Sequence, residues 1–139
     1  MSRPYFHLDE SSWPIVVFRF QGDPTDEEFE AYLKAMEGLY ARDERFTMVF
    51  DARGTVNLKA KHRRRQADWL KQHAARIRRL NPGSAFIIDS PFVRGLLTAI
   101  LWLQPLPVPH KVFSSMDEAV AWCRDRLQRG SAVSAPPGP

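Results

Sequence analysis

Apolar residues recur along the chain in two rhythms that alternate. The stretches "WPIVVFRFQG" (13–22), "RFTMVFDARG" (45–54) and "SAFIIDS" (84–90) are short runs rich in Val, Ile and Phe, closed by Gly, Asp or Ser. They read as strands. The run at 84–90 is apolar without alternation, the pattern of a central strand covered on both faces. A short strand near 5–9 is placed to pair with the first as a hairpin, and "HKVFSS" (110–115) reads as a fifth strand.

Between these runs the spacing turns helical. Over 25–43, Phe29, Tyr32, Leu33, Met36 and Tyr40 share one face, and Thr25 with Glu28 forms a capping box. Over 59–80, Ala67, Leu70, Ala74 and Ile77 oppose Lys61, Arg64, Arg65, Lys71, Gln72 and Arg79; Asn81-Pro82-Gly83 stops the helix. Ser90 and Pro91 supply an N-cap and a first-turn proline for a helix over 91–103. On a wheel of about 100° per residue, Phe92, Val93, Leu96, Leu97, Ile100 and Leu103 take its core side, and Arg94, Gly95, Thr98, Leu101 and Trp102 the other. A last helix over 116–128 starts at Ser115 and Glu118 and carries a Met116, Ala119, Val120, Cys123 and Leu127 stripe. Strands alternating with helices predict an α/β fold: a single domain over 1–128 with a four- to five-stranded mixed, largely parallel sheet and about four helices. The Pro-, Ser-, Gly- and Ala-rich segment 129–139 is expected to be a disordered tail.

Composition narrows the function. At 139 residues with 44% hydrophobic and 26% charged positions, the chain can build a core without staples. One cysteine, Cys123, excludes an intrachain disulfide framework. "MSRPYFHLDE" has no apolar segment of the secretory kind, so a cytoplasmic setting is expected. The apolar run at 90–109 is broken by Pro105, Pro107 and Pro109 before it could span a bilayer. A net charge of +4 is mild and demands no acidic partner.

The second half, "DSPFVRGLL" followed by a helix and then "KVFSSMDEAVAWCRDRL", resembles the STAS domain of anti-sigma-factor antagonists, in particular its SpoIIAA-like branch related to the SEC14-like lipid-binding fold. The resemblance covers residues 5–128. It implies a small, non-enzymatic, regulatory protein-interaction module, homodimeric or bound to another protein. The alternative it implies is a module for a small molecule or lipid. It also implies phosphorylation at a helix start after the middle strand, where the family carries roughly Asp-Ser-Ser-Gly. Here that region is "DARGTVNLKAKHR", and Thr55 is the only hydroxyl nearby.

No catalytic signature accompanies the fold. Asp51 and Asp89 end strands, where carboxylates make turns and caps. Arg63 lies near the start of its helix, within reach of either. Ser90 lacks a Gly-x-Ser-x-Gly elbow. His7, His62, His73 and His110 have no metal-ligand spacing, so no metal or cofactor is expected. The basic helix offers Lys61, Arg64, Arg65 and Arg79 as contacts to an anionic surface; the alternative is that they pair with the acidic helix at 25–43. No motif for sequence-specific nucleic acid accompanies them. The apolar excess of Leu101, Trp102, Leu106 and Val108, flanked by Arg94 and Thr98, is expected to form a partner-binding patch.

Overall fold

A computed structural model describes residues 4–134. The expected elements are present in the expected order: β1 (Phe6–Asp9), β2 (Ile15–Gly22), α1 (Asp26–Ala41), β3 (Thr47–Thr55), α2 (Ala60–Leu80), β4 (Ser84–Ile87), α3 (Pro91–Leu103), β5 (His110–Phe113) and α4 (Met116–Ser134). The last helix passes the expected boundary at 128, and residues 135–139 lie outside the described residues.

The five strands form one sheet in chain order. β1 is antiparallel to β2, with Phe6 opposite Phe20; β2, β3, β4 and β5 are all parallel. Parallel strands that advance in one direction, joined by right-handed crossovers, put every crossover helix on the same face. The packing shows this. Val16, Phe18, Met48 and Phe50 on one face meet Tyr32 and Leu33 of α1, Trp69 and Leu70 of α2 and Ile100 of α3. The intervening Ile15, Val17, Val49, Ala85 and Ile87 meet Ala119 and Cys123 of α4 on the other. The sheet is thus covered on both faces, which explains its apolar central strand.

Local chemistry fixes the element ends. Thr25 accepts from the Glu28 amide at 3.1 Å while Glu28 accepts from the Thr25 amide at 2.9 Å, a complete capping box. Asn81 ends α2 and is buried. Its Nδ2 donates to Tyr40 Oη at 3.1 Å and to Ser84 Oγ at 3.0 Å, and its Oδ1 accepts from the Gly83 amide at 2.8 Å. Gly54 lets β3 rejoin β2 beyond the irregularity at Arg19–Gln21, because a Cβ there would lie 2.5 Å from the Phe20 carbonyl oxygen. No helix among the described residues is long and apolar enough to cross a membrane.

Candidate functional site

Helix α3 leaves most of its apolar side chains short of full burial in the core. Ser90 Oγ accepts from the Val93 amide at 3.4 Å and Pro91 opens the first turn, so Ser90 caps the helix as its position suggested. Only Val93 and Ile100 of α3 are buried. The outer face carries Trp102 at 86% exposure, Phe92 at 58% and Leu103 at 50%, with Arg94 and Thr98 also exposed. Phe92 and Leu103 were expected on the core side, and the structure corrects this. They border the arc that reaches the sheet, and with polar residues at only two positions of the helix nothing in the sequence fixes that border. Val108 is a second correction: it is buried in the main core, because the proline-rich loop folds back under the helix. Leu106 packs partly against the same core, and Leu101 is half-buried. The expected patch is therefore narrower at the loop and wider along the helix.

Under α3 lies a cavity of about 120 Å³ at the carboxyl ends of β2, β3 and β4. Its floor is the row Phe20, Phe50 and Phe86, whose neighbouring rings lie 6.3 and 5.1 Å apart and near parallel. Leu96, Leu97 and Ile100 of α3 form its roof, and Phe29 and Met36 of α1 with Leu70 of α2 form its walls. Ligands of open α/β sheets gather at this end of the strands. Besides Thr55, three polar side chains interrupt the apolar lining. Tyr5, Tyr32 and Gln66 are 7%, 4% and 9% exposed. None has a hydrogen-bonding partner among the described residues. Burial lifts the Tyr5 hydroxyl far above the ordinary phenol range, helped by the carboxylates of Asp23 and Glu28. Burial does the same to Tyr32. Both are neutral phenols at any ordinary pH. Sequence reasoning placed Tyr32 in the core and missed the site; the one available signal was Gln66, an amide four positions from Leu70 on a core-facing stripe.

The other expected residues fall elsewhere. Thr55 stands in β3 opposite Gly22, before α2 begins at Ala60, and lines the cavity; the helix-start position that the resemblance implied for a phosphate is not matched. Lys61 pairs with Asp26 at 2.8 Å, Arg65 with Glu30 at 2.9 Å and Arg79 with Asp43 at 2.7 Å. Those partners belong to α1 or the turn after it, so the charges answer one another rather than project together. Of the four, Arg64 alone has no ion pair among the described residues. Trp69, on the same helix, is fully buried. Asp51 does not meet Arg63, which donates to the Leu58 carbonyl. It holds Arg53 through two bonds of 2.9 and 2.8 Å. Burial works to raise the Asp51 pKa, but those bonds outweigh it and hold the carboxyl below the usual range. His62 bonds Asp26 through Nε2 at 2.8 Å and stacks on Phe29, while its Nδ1 has no partner among the described residues. Burial pushes the Cys123 thiol up to about 11, which suits a core position and not a nucleophile. Among the described residues no group of three metal-ligating side chains comes together.

This arrangement has relatives. The SpoIIAA-like family model matches residues 15–124. The chain belongs to the SpoIIAA-like family. Its fold is similar to that of a SpoIIAA-like protein of unknown function from Shewanella loihica, at TM-score 0.64 and 16% identity over 88% of this chain and 98% of that one. It is equally similar to the anti-sigma factor antagonist SpoIIAA in its unphosphorylated form, at TM-score 0.64 and 14% identity over 86% and 96%. An anti-sigma factor antagonist from Mycobacterium paratuberculosis follows at TM-score 0.58 and 19% identity over 90% and 100%. Such identities establish the shared fold. Comparison with curated proteins yields no match.

Proposed function

We propose that this SpoIIAA-like chain is a non-enzymatic, regulatory binding module of the cytoplasm whose working element is α3. Its outer face docks a protein, in the first instance a second copy of the chain. The observation that carries this reading is Trp102, 86% exposed at the end of a helix whose outward face also holds Phe92 and Leu103 and a single charge, Arg94. Large apolar side chains gathered on one surface mark interaction sites, and tryptophan is the favoured anchor. Leu101, Thr98 and Leu106 border the same surface. Two structural neighbours are named anti-sigma factor antagonists, a regulatory role exercised on another protein, which supports a protein partner here as well. The expected outcome is a light-scattering mass near twice 16.0 kDa for the wild type. Trp102→Ala with Leu103→Asp should return the monomer mass without changing the melting curve. A wild type that stays monomeric at the highest attainable concentration would end the self-association reading.

The cavity favours a second reading, a small apolar ligand held beneath α3. It is apolar, ring-floored and near the size that takes one aromatic ring in other proteins, roughly 150 Å³. Native mass spectrometry of the freshly purified chain should then show a fraction carrying a low-mass adduct that organic extraction removes.

A further inference from the structure

We propose that the cavity beneath α3 selects a small, uncharged, mostly hydrocarbon molecule with one hydrogen-bonding head, which seats against Tyr5, Tyr32 and Gln66. This rests on the reading that the cavity holds a ligand, and it names the class. Three observations carry it.

First, the three side chains come from distant parts of the chain. Tyr5 precedes β1, Tyr32 sits on α1 and Gln66 on α2, yet all three line one cavity and all three are more than nine-tenths buried. Elsewhere in this fold the buried polar side chains of the Asn81 turn satisfy one another. Three largely buried polar side chains brought from distant parts of the chain to line one apolar cavity give a ligand's single polar group something to bond.

Second, no Asp, Glu, Lys or Arg lines the cavity, so a charged head would lose its hydration with no countercharge to replace it. Asp23 and Glu28 act on the Tyr5 hydroxyl from outside the lining, which turns the field further against a carboxylate or phosphate. The phenols stay protonated and the amide is neutral, so the wall both donates and accepts. A hydroxyl, carbonyl or amide matches it.

Third, apart from Thr55 the remaining lining is aromatic and aliphatic, and the volume of about 120 Å³ suits one small ring or a short branched chain beneath Leu96, Leu97 and Ile100.

The test compares three single-ring probes on the full chain at neutral pH by titration calorimetry and by thermal shift. Phenol has the head, toluene is its headless isostere and benzoate carries a charge. Phenol should bind, toluene about fivefold more weakly, the worth of one neutral hydrogen bond, and benzoate not measurably. Tyr32→Phe and Gln66→Leu should each weaken phenol by about fivefold and leave toluene unchanged. Leu97→Trp, which fills the cavity, should abolish binding of phenol and toluene alike. Circular dichroism checks that each variant folds. Equal binding of phenol and toluene, or variants that weaken both alike, would overturn the head-group assignment while leaving the apolar pocket standing. Failure of every probe to bind would overturn the pocket reading together with the assignment. Binding that survives Leu97→Trp would place the site elsewhere and overturn both.

Discussion

The two ends of the parallel sheet treat buried polarity in opposite ways. At the amino ends of β3 and β4, Asn81, Ser84, Tyr40 and Thr47 are buried and interlocked: Asn81 bonds three partners, and Thr47 Oγ1 donates to the Gly83 carbonyl. At the carboxyl ends, Tyr5, Tyr32 and Gln66 are also buried, though less deeply, and have no hydrogen-bond partner among the described residues. The same two helices border both regions, since Tyr40 and Tyr32 lie on α1, and Asn81 and Gln66 lie at the end and in the first half of α2. The difference is therefore not one of elements but of what closes over them. A turn seals the first end, whereas α3, with two buried residues, roofs the second. A sealed polar cluster specifies the fold, and an open one is free to specify a ligand.

The largest break in this comparison comes from the sealed end. Asn81→Leu leaves Tyr40 Oη, Ser84 Oγ and the Gly83 amide short of partners in a buried turn. The expected loss is about 3 kcal/mol, from the cost of stranded buried groups. That should lower the melting midpoint by roughly 6–12 °C in a domain of this size. Urea unfolding followed by tryptophan fluorescence checks it. A loss below about 1 kcal/mol would mean the turn relaxes and its polar groups find other partners, and the contrast between the ends would weaken.

The sealed end and the open end were not equally legible. Asn81-Pro82-Gly83 announces a helix stop locally, and the strand and helix rhythms give the nine elements in order because each is set by neighbours a few positions away. The cavity is set by chain segments that meet only in three dimensions. Tyr5, Tyr32 and Gln66 have no spacing that would join them, and Tyr32 reads as one more core residue on its stripe. For α3 the sequence misleads in a specific way. A helix with apolar residues around most of its circumference has no polar arc to set its rotation, so Phe92 and Leu103 were placed inward and stand outward. Val108 erred in the other direction, since nothing in a proline-rich loop tells that it folds under the helix. The pairing of Lys61, Arg65 and Arg79 with acidic residues of α1 and its following turn was one of two readings the charges allowed.

A smaller effect sharpens the comparison by separating the two faces of the sheet. Asp51 lies midway along β3 on the α4 side, and there its charge is answered by Arg53. Its folded pKa is depressed below the ordinary value of 3.8. The bond therefore contributes stability that is present above that value and is lost as pH falls through the lower folded pKa. Arg53 is 41% exposed, so solvent screening limits the contribution to about 0.5–1 kcal/mol. Asp51→Asn should remove it: the variant should be less stable than wild type at pH 6, and the gap should close as the solution is acidified past the carboxylate range. Chemical denaturation at stepped pH checks this. A gap that persists unchanged into strong acid would mean that packing, and not the Arg53 charge, holds the aspartate.

The smallest expected effect is the sharpest test. Tyr32 is 4% exposed and touches the rings of Tyr5, Phe18, Phe20 and Phe29, so Tyr32→Phe keeps every ring contact and deletes one oxygen. If that oxygen were hydrogen-bonded within the protein, the change would strand its partner and cost about 1–2 kcal/mol. With no partner to strand, deletion should shift stability by only a few tenths of a kcal/mol, in the stabilising direction, because an unpaired hydroxyl leaves an apolar wall. Tyr40→Phe is the matched control on the same helix. Its hydroxyl accepts from Asn81 Nδ2 at 3.1 Å, so it should cost about 1 kcal/mol or more. Urea midpoints for the two variants side by side decide the matter. Two phenylalanine substitutions eight residues apart on α1, one neutral and one costly, would locate the boundary between the polar groups that build the fold and those it leaves for something else. Equal losses would show that the open end is sealed too.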